Sequence, residues 1–212
     1  MKKGVICDLD GTLVSTISLH ESAWCELFRR YNIELTDTEL LEQSGKKNTL
    51  FIRMVSERTG ISFDAEKLSQ EKDMLVIQAL SQNPPAIFAG VQELLTLLKE
   101  KGIKLALATS ATEQTARLLG KELFHYFDAH VFAEDVQHGK PHPEIFLKAA
   151  GKLGLSPQEC AVFEDATSGV EAAKAGGFFC VARDNHLRQN ISEADLIVEE
   201  YNAKELVNLL CS

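Results

Sequence analysis

The chain has 212 residues, 45% of them hydrophobic, which suffices for one good core or for a core with a small accessory domain. Its formal net charge is −9 and it carries no long basic run, so nothing in it would displace counterions from a nucleic acid, and no such partner is expected. No apolar stretch approaches the roughly 18 residues needed to span a membrane, and Lys2-Lys3 are followed by only a short apolar run before Asp8, so neither a membrane anchor nor a secretory leader is expected.

Five cysteines (Cys7, Cys25, Cys160, Cys180, Cys211) form no C-x-x-C pair, and three sit in apolar runs. They read as reduced thiols of a cytoplasmic protein.

In chain order, Gly4-Val5-Ile6-Cys7 reads as a buried strand leading into Asp8-Leu9-Asp10-Gly11-Thr12. Ala23, Trp24, Leu27, Phe28 and Tyr31 then recur at helical spacing, and further helical patterns follow over 39–43, 50–58 and 65–80. No strand pattern occurs between Leu13 and Asn83, and Pro84-Pro85 closes the helical stretch.

The rhythm then changes. Val91, Leu94, Leu95 and Leu98 mark a helix ended by Gly102, and 104–109 reads as a strand. A helix over 113–120, a strand over 129–133 and a helix through Ile145, Phe146, Ala149, Ala150 and Leu153 follow. Ser156 to Glu159 has the form of a capping box, 160–163 is a buried strand, and Ser168 to Glu171 forms a second capping box on a helix stopped by Gly176-Gly177. Short strands are expected over 178–182 and 196–198.

Strands alternating with helices imply an α/β fold, a Rossmann-like parallel sheet covered on both faces, with an all-helical insert directly after the first strand. The boundaries read as 1–13 and 85–212 for the core and 14–84 for the insert, with crossings at Leu13 to Thr16 and Asn83 to Ala86 forming a double hinge.

The chemistry starts from Asp8 and Asp10. A period of two puts them on one side, Gly11 lets the chain turn, and Thr12 can bond nearby main chain. Two adjacent carboxylates repel, and a divalent cation relieves the repulsion. One can serve as nucleophile and the other as general acid and base, an arrangement suited to phosphoryl transfer through an aspartyl-phosphate.

Ligands in open parallel sheets bind at the carboxyl ends of strands. At those ends stand Thr109-Ser110, a loop with Lys140-Pro141, and Glu164-Asp165. Hydroxyls and a lysine suit phosphoryl oxygens, and the acids suit a hard cation such as Mg²⁺. Lys140 is no P-loop lysine, because no G-x-x-x-x-G-K-[ST] is present.

Asp8-Leu9-Asp10-Gly11-Thr12, Thr109, Lys140-Pro141 and Glu164-Asp165 resemble, in order, the four motifs of the haloacid dehalogenase superfamily. The helical insert resembles the cap of its phosphatase and β-phosphoglucomutase branch. The resemblance implies that Asp8 attacks phosphorus and that Asp10 protonates the leaving oxygen, then activates the next nucleophile. It also implies that Thr109 and the Ser110 backbone hold phosphoryl oxygens, and that Lys140 pairs with Asp8 and the phosphate. Asp8, the carbonyl of Asp10, Glu164 and Asp165 would hold Mg²⁺. An aspartate at position 10 favours phosphate esters over the carbon–halogen and transport-ATPase branches.

In the cap, His20 and Trp24 lie where the mutases have a His and a Trp, so His20 would meet Asp10 on closure. Trp24 also reads as core, the reading its apolar spacing favours. Lys46 and Lys47, after Gly45, and Lys72 are expected to meet substrate or simply to face solvent. The mutase's arginine for a distal phosphate has no counterpart among them. His142 reads as lining the entrance or as structural, and the remaining histidines lack metal-ligand spacing.

The resemblance thus implies a Mg²⁺-dependent, monomeric, cytoplasmic phosphatase of a small phosphorylated metabolite, a sugar or polyol phosphate. β-Phosphoglucomutase, a non-catalytic binding protein and a phosphonoacetaldehyde hydrolase using a cap lysine stay open as alternatives.

Overall fold

The computed structural model describes residues 1–80, 85–186 and 189–212. Its centre is a six-stranded, all-parallel sheet made of β1 (Gly4–Cys7), β2 (Lys104–Ala108), β3 (Ala129–Val131), β4 (Cys160–Glu164), β5 (Phe179–Arg183) and β6 (Leu196–Val198), in the spatial order β3-β2-β1-β4-β5-β6. The two apolar runs that start at Gly4 and Cys160 thus lie side by side in the middle, with Gly4 opposite both Lys104 and Cys160.

Side chains alternate between two faces, as the period of a strand requires. Val5, Cys7, Leu105, Leu107, Ala161 and Phe163 pack with α5 (Val91–Glu100), α6 (Glu113–Leu119) and α9 (Ala203–Cys211). Ile6, Ala106, Ala108, Val162, Cys180 and Ala182 pack with α7 (Glu144–Leu153) and α8 (Thr167–Ala175). The interior thiols Cys7, Cys160 and Cys180 are free, and burial pushes all three upward, which keeps them protonated and inert.

Four helices follow β1 in succession: α1 (Ile17–Arg29), α2 (Asp37–Gln43), α3 (Asn48–Thr59) and α4 (Ala65–Leu80). They bury a cluster of their own, built on Trp24, Leu27, Phe28, Phe51, Ile52, Val55 and Leu68. Trp24 stacks on Phe28 at 5.8 Å and meets Phe51 edge-on at 4.9 Å. Where the chain leaves β1, Ser15 N donates to Ala86 O (2.8 Å) and Phe88 N to Leu13 O (3.0 Å), so the outgoing and returning segments run antiparallel around a Val14–Ile87 bridge. The expected Pro84 break and the Asn83 end of the second crossing lie outside the described residues.

Several local expectations need correction. Ser168 caps nothing: α8 begins at Thr167, and the Ser168 hydroxyl instead donates to Ser44 O in the insert (2.9 Å). The loop entering that helix is satisfied by Glu164 Oε2, which accepts from Asp165 N (2.9 Å) and Ala166 N (3.2 Å). Strand β3 stops at Val131, because Asp135 accepts from Phe132 N (2.9 Å) and winds the chain into a short 3₁₀ turn. Helix α1 ends before Tyr31, whose ring sits edge-on to Phe63 at 5.0 Å. Helix α9 was not anticipated, although Asn202 caps it by accepting from Glu205 N (3.3 Å) and Ala203, Leu206, Val207 and Leu210 supply its buried stripe. Among the described residues no helix is long and apolar enough to cross a membrane.

Candidate active site

The sheet order brings Asp8 after β1, Thr109 after β2 and Glu164-Asp165 after β4 to one edge, and the loop before α7 delivers Lys140 between them. Lys140 is completely buried, and its Nζ donates to Asp8 Oδ1 (2.6 Å) and Glu164 Oε1 (2.5 Å). Burial alone would lower the lysine, but Asp8 and Glu164 outweigh it and hold the ammonium above its ordinary value. Thr12 does not bond main chain through its hydroxyl as expected. Its Oγ1 donates to Asp165 Oδ1 (2.9 Å) and lies 3.5 Å from Asp8 Oδ2, while Asn185 Nδ2 donates to the other oxygen of Asp165 (2.8 Å).

Asp8, Glu164 and Asp165 each offer a carboxylate oxygen within 4.8 Å of the others, all buried. Three negative charges thus meet one ammonium. Burial and then Glu164 push Asp165 up to about 8, and burial pushes Asp8 up against the pull of Lys140, with the neighbouring acids adding to the rise. The two uncompensated charges and the all-oxygen donor set fit a hard divalent cation. The backbone leaves room for this cluster at two glycines. Gly11, at φ +77°, lies so close to Asp165 that a Cβ would collide with its carboxylate, and a Cβ on Gly169 would collide with that of Glu164.

Asp10 belongs to a second network. Its Oδ1 accepts from Thr16 Oγ1 (2.6 Å) and from His20 Nε2 (2.9 Å), and its Oδ2 lies 3.5 Å from Thr109 Oγ1. On the far side of the imidazole, Lys72 Nζ is 2.6 Å from Nδ1. An ammonium can only donate, so Nδ1 accepts and Nε2–H points at Asp10. Burial raises Asp10, but the imidazole and the hydrogen bonds from His20 and Thr16 prevail and bring it down to about 2. Burial lowers Lys72, partly offset by Asp73 and Asp10.

Asp8, Asp10, His20, Lys46, Lys72, Thr109 and Ser110 line one cavity, closed on the helical side by Gln43 to Gly45, Asn48 and Asp73. It encloses about 600 Å³ of atom-free space, part of it open to solvent. Polar contacts hold the helices over the sheet edge: Ser110 Oγ donates to Gly45 O (2.8 Å) and Gln189 Nε2 to Leu41 O (3.1 Å). The Ser110 hydroxyl is thereby spent on the insert.

Two expected cap contacts are not there. Trp24 is fully buried, does not border the cavity, and donates its indole N–H to Gln43 Oε1 (3.2 Å); its ring belongs to the aromatic cluster of the insert. Lys47 turns away from Asp8 and donates to Val136 O (2.6 Å). Sequence reasoning missed Thr16, Asn48, Asp73 and Asn185. Thr16 stood within the hinge assigned to the insert, but the other three become visible only when separate elements are brought together.

The histidines hold one surprise. His138, His142 and Glu144 gather within 4.8 Å of one another on the surface. Glu144 there accepts from Gln137 N (3.0 Å) and His138 N (2.9 Å) and pairs with Lys148 (2.9 Å), so the group is accounted for as the anchor of the turn before α7.

Comparison with known proteins agrees with this geometry. The family model for haloacid dehalogenase-like hydrolases matches residues 2–177. A phosphorylated carbohydrates phosphatase of Thermotoga maritima is 36% identical over 82% of this chain and 82% of its own. The β-phosphoglucomutase of Bacillus subtilis is 30% identical over 93% of this chain and 89% of its own. The crystal structure of a β-phosphoglucomutase from Clostridium difficile superposes with a TM-score of 0.88 at 25% identity, covering 99% of this chain and 97% of that one.

Proposed function

The chain belongs to the haloacid dehalogenase-like hydrolases, enzymes acting here on phosphate esters, and we propose that it is a Mg²⁺-dependent phosphatase of small sugar or polyol phosphates that works through a phosphorylated Asp8. The observation that carries this reading is the pairing of Asp8 with the buried Lys140 at the floor of a cavity whose wall holds Asp10, already tuned as a separate carboxylate. We take residues 14–84 as a cap over a core of 1–13 and 85–212, and the protein as a cytoplasmic monomer.

In this scheme Asp8 Oδ2 attacks phosphorus while the bond to the leaving oxygen breaks, and Asp10 delivers the proton that oxygen needs. Asp10 rests ionised. The incoming phosphate raises its proton affinity by repulsion and lets Oδ2, the oxygen not engaged by Thr16 and His20, take up that proton from solvent before the bond breaks. Once the alcohol has left, Asp10 is again the carboxylate that takes a proton from water as water attacks the phosphorylated Asp8. Phosphate departs, the Asp8 carboxylate is restored, and Asp10 returns to solvent the proton it took from water. Lys140 stays protonated throughout and offsets the charge that gathers between Asp8 and the phosphoryl oxygens. Thr109 and the backbone after it bound the same space. Asp8, Glu164 and Asp165 would hold the Mg²⁺ ion, which when bound supplies positive charge for the phosphoryl group.

The mutase reading shares Asp8 and Asp10 and differs only in the acceptor, a sugar hydroxyl in place of water. The similarity to two β-phosphoglucomutases supports it. The test is phosphate release from a panel of sugar, polyol and nucleotide phosphates with Mg²⁺, run beside a coupled assay for glucose 6-phosphate from β-glucose 1-phosphate with a bisphosphate primer. Release of phosphate from one ester class is expected. Glucose 6-phosphate with little free phosphate would overturn the phosphatase reading in favour of the mutase.

A further inference from the structure

We propose that Asp73, held in place by Asn48, selects against a second phosphate, so that the enzyme takes esters bearing a single phosphate on a hydroxyl-rich body. The inference rests on the phosphatase reading and names its substrate class more narrowly. Asp73 follows Lys72 on α4, and both border the cavity. The two side chains part ways: Lys72 reaches His20, while Asp73 stays against the outer wall, its Oδ1 accepting from Asn48 Nδ2 (3.0 Å) and its Oδ2 lying 3.4 Å from Thr112 Oγ1.

The side-chain donors that touch Asp73 are already used. The two N–H groups of the Asn48 side-chain amide go to Asp73 Oδ1 and to Ser69 Oγ (3.1 Å), which leaves that side chain only its carbonyl oxygen to offer. The Lys72 ammonium is committed to His20 at 2.6 Å and to Asp73 at 3.7 Å. Lys46 is the one lysine lining the cavity whose side chain makes no hydrogen bond or ion pair among the described residues. A ligand group placed directly against Asp73 and the Asn48 side chain therefore meets a carboxylate and an amide carbonyl, both acceptors. A hydroxyl can donate to either. A phosphate dianion has only acceptors of its own and would face a carboxylate in a partly dry site, where repulsion is strong. The phosphate to be transferred has the Lys140 ammonium beside Asp8 to offset its charge.

Calorimetric titration of the Asp8→Asn protein with Mg²⁺ tests this without turnover. The ligands are hexose and hexitol monophosphates, each beside the bisphosphate of the same sugar. Monophosphates are expected to bind at least about tenfold more tightly than their bisphosphate counterparts. Adding Asp73→Asn, which keeps the shape and drops the charge, should shrink that ratio to about threefold or less, chiefly through tighter bisphosphate binding. Both affinities come from one preparation, so partial misfolding of a variant cancels from the ratio. Bisphosphates binding as well as monophosphates, a ratio indifferent to Asp73→Asn, or no binding of any of these esters would overturn the proposal. Selective binding of monophosphates by a wild-type chain that releases no phosphate would refute the phosphatase reading and leave the selection by Asp73 standing.

Discussion

The sheet edge and the helical insert meet at one cavity, yet they are built on opposite principles. At the sheet edge, charged groups are buried and cross-linked by hydrogen bonds that tie distant parts of the chain together, as Lys140 ties β1 to β4. The insert is held by an aromatic cluster of its own and touches the edge through a handful of polar contacts such as Ser110 with Gly45 and Ser168 with Ser44. Groups that must keep a fixed geometry during bond-making sit on strand ends, where the backbone is pinned by neighbours on both sides. In the proposed reading, groups that sort one substrate from another sit on the helices of the insert, where side chains can change without disturbing the chemistry.

This contrast can be broken first at Asp8. Asp8→Asn keeps the volume and removes the nucleophile, so phosphate release should fall by at least about a thousandfold while the far-ultraviolet circular dichroism stays as in the wild type. A residual rate within tenfold of wild type would move the chemistry elsewhere. Next is Lys140→Met. It strands Asp8 and Glu164 without their shared partner and should cost about 3–5 kcal/mol in denaturant unfolding at neutral pH. An unchanged midpoint would mean that the acids are not held by this lysine.

The insert offers the complementary case. Trp24→Ala empties the centre of its cluster and should cost about 3–5 kcal/mol, with far less effect on kcat for a small aryl phosphate than Asp8→Asn has. A large loss of kcat with little loss of stability would return Trp24 to the substrate.

The smallest effect lies far from both regions. His130 lies beside Phe124 (4.9 Å) and Phe132 (6.0 Å) with its ring nearly parallel to both, and its buried Nε2 has no partner among the described residues. Burial, followed by the nearby Arg117, pushes it below its ordinary value. The unfolded chain therefore binds the proton first, so stability is full above about pH 6.5 and falls as the pH drops through the folded value. His130→Phe should flatten that acid-side decline in a series of thermal unfolding curves. An unaltered pH profile would show that His130 does not contribute to it.

The same contrast explains what could be read in the sequence. Asp8, Thr109, Lys140, Glu164 and Asp165 were legible because a parallel sheet brings the ends of its strands together whatever lies between them, and each stands at such an end or in the loop beside it. The helices of the insert were legible from their apolar spacing, but which of their polar residues face the cavity was not. Lys47 and Asn48 are neighbours, and only the turn into α3 sends the first to Val136 and the second to the cavity. Trp24 likewise reads as a ligand or as core until Phe28 and Phe51 are seen around it. Asn185 lies beyond β5, twenty residues past the Asp165 it orients, and no local pattern announces it.

The most direct test of the account is to stop wild-type enzyme by rapid acid quench during turnover of a good ester and to map the phosphoryl group by peptide mass spectrometry. The account predicts a phosphoryl group on Asp8, discharged by hydroxylamine and absent from Asp8→Asn. Sustained turnover at saturating ester, with no acyl phosphate on Asp8 at any quench time, would contradict it.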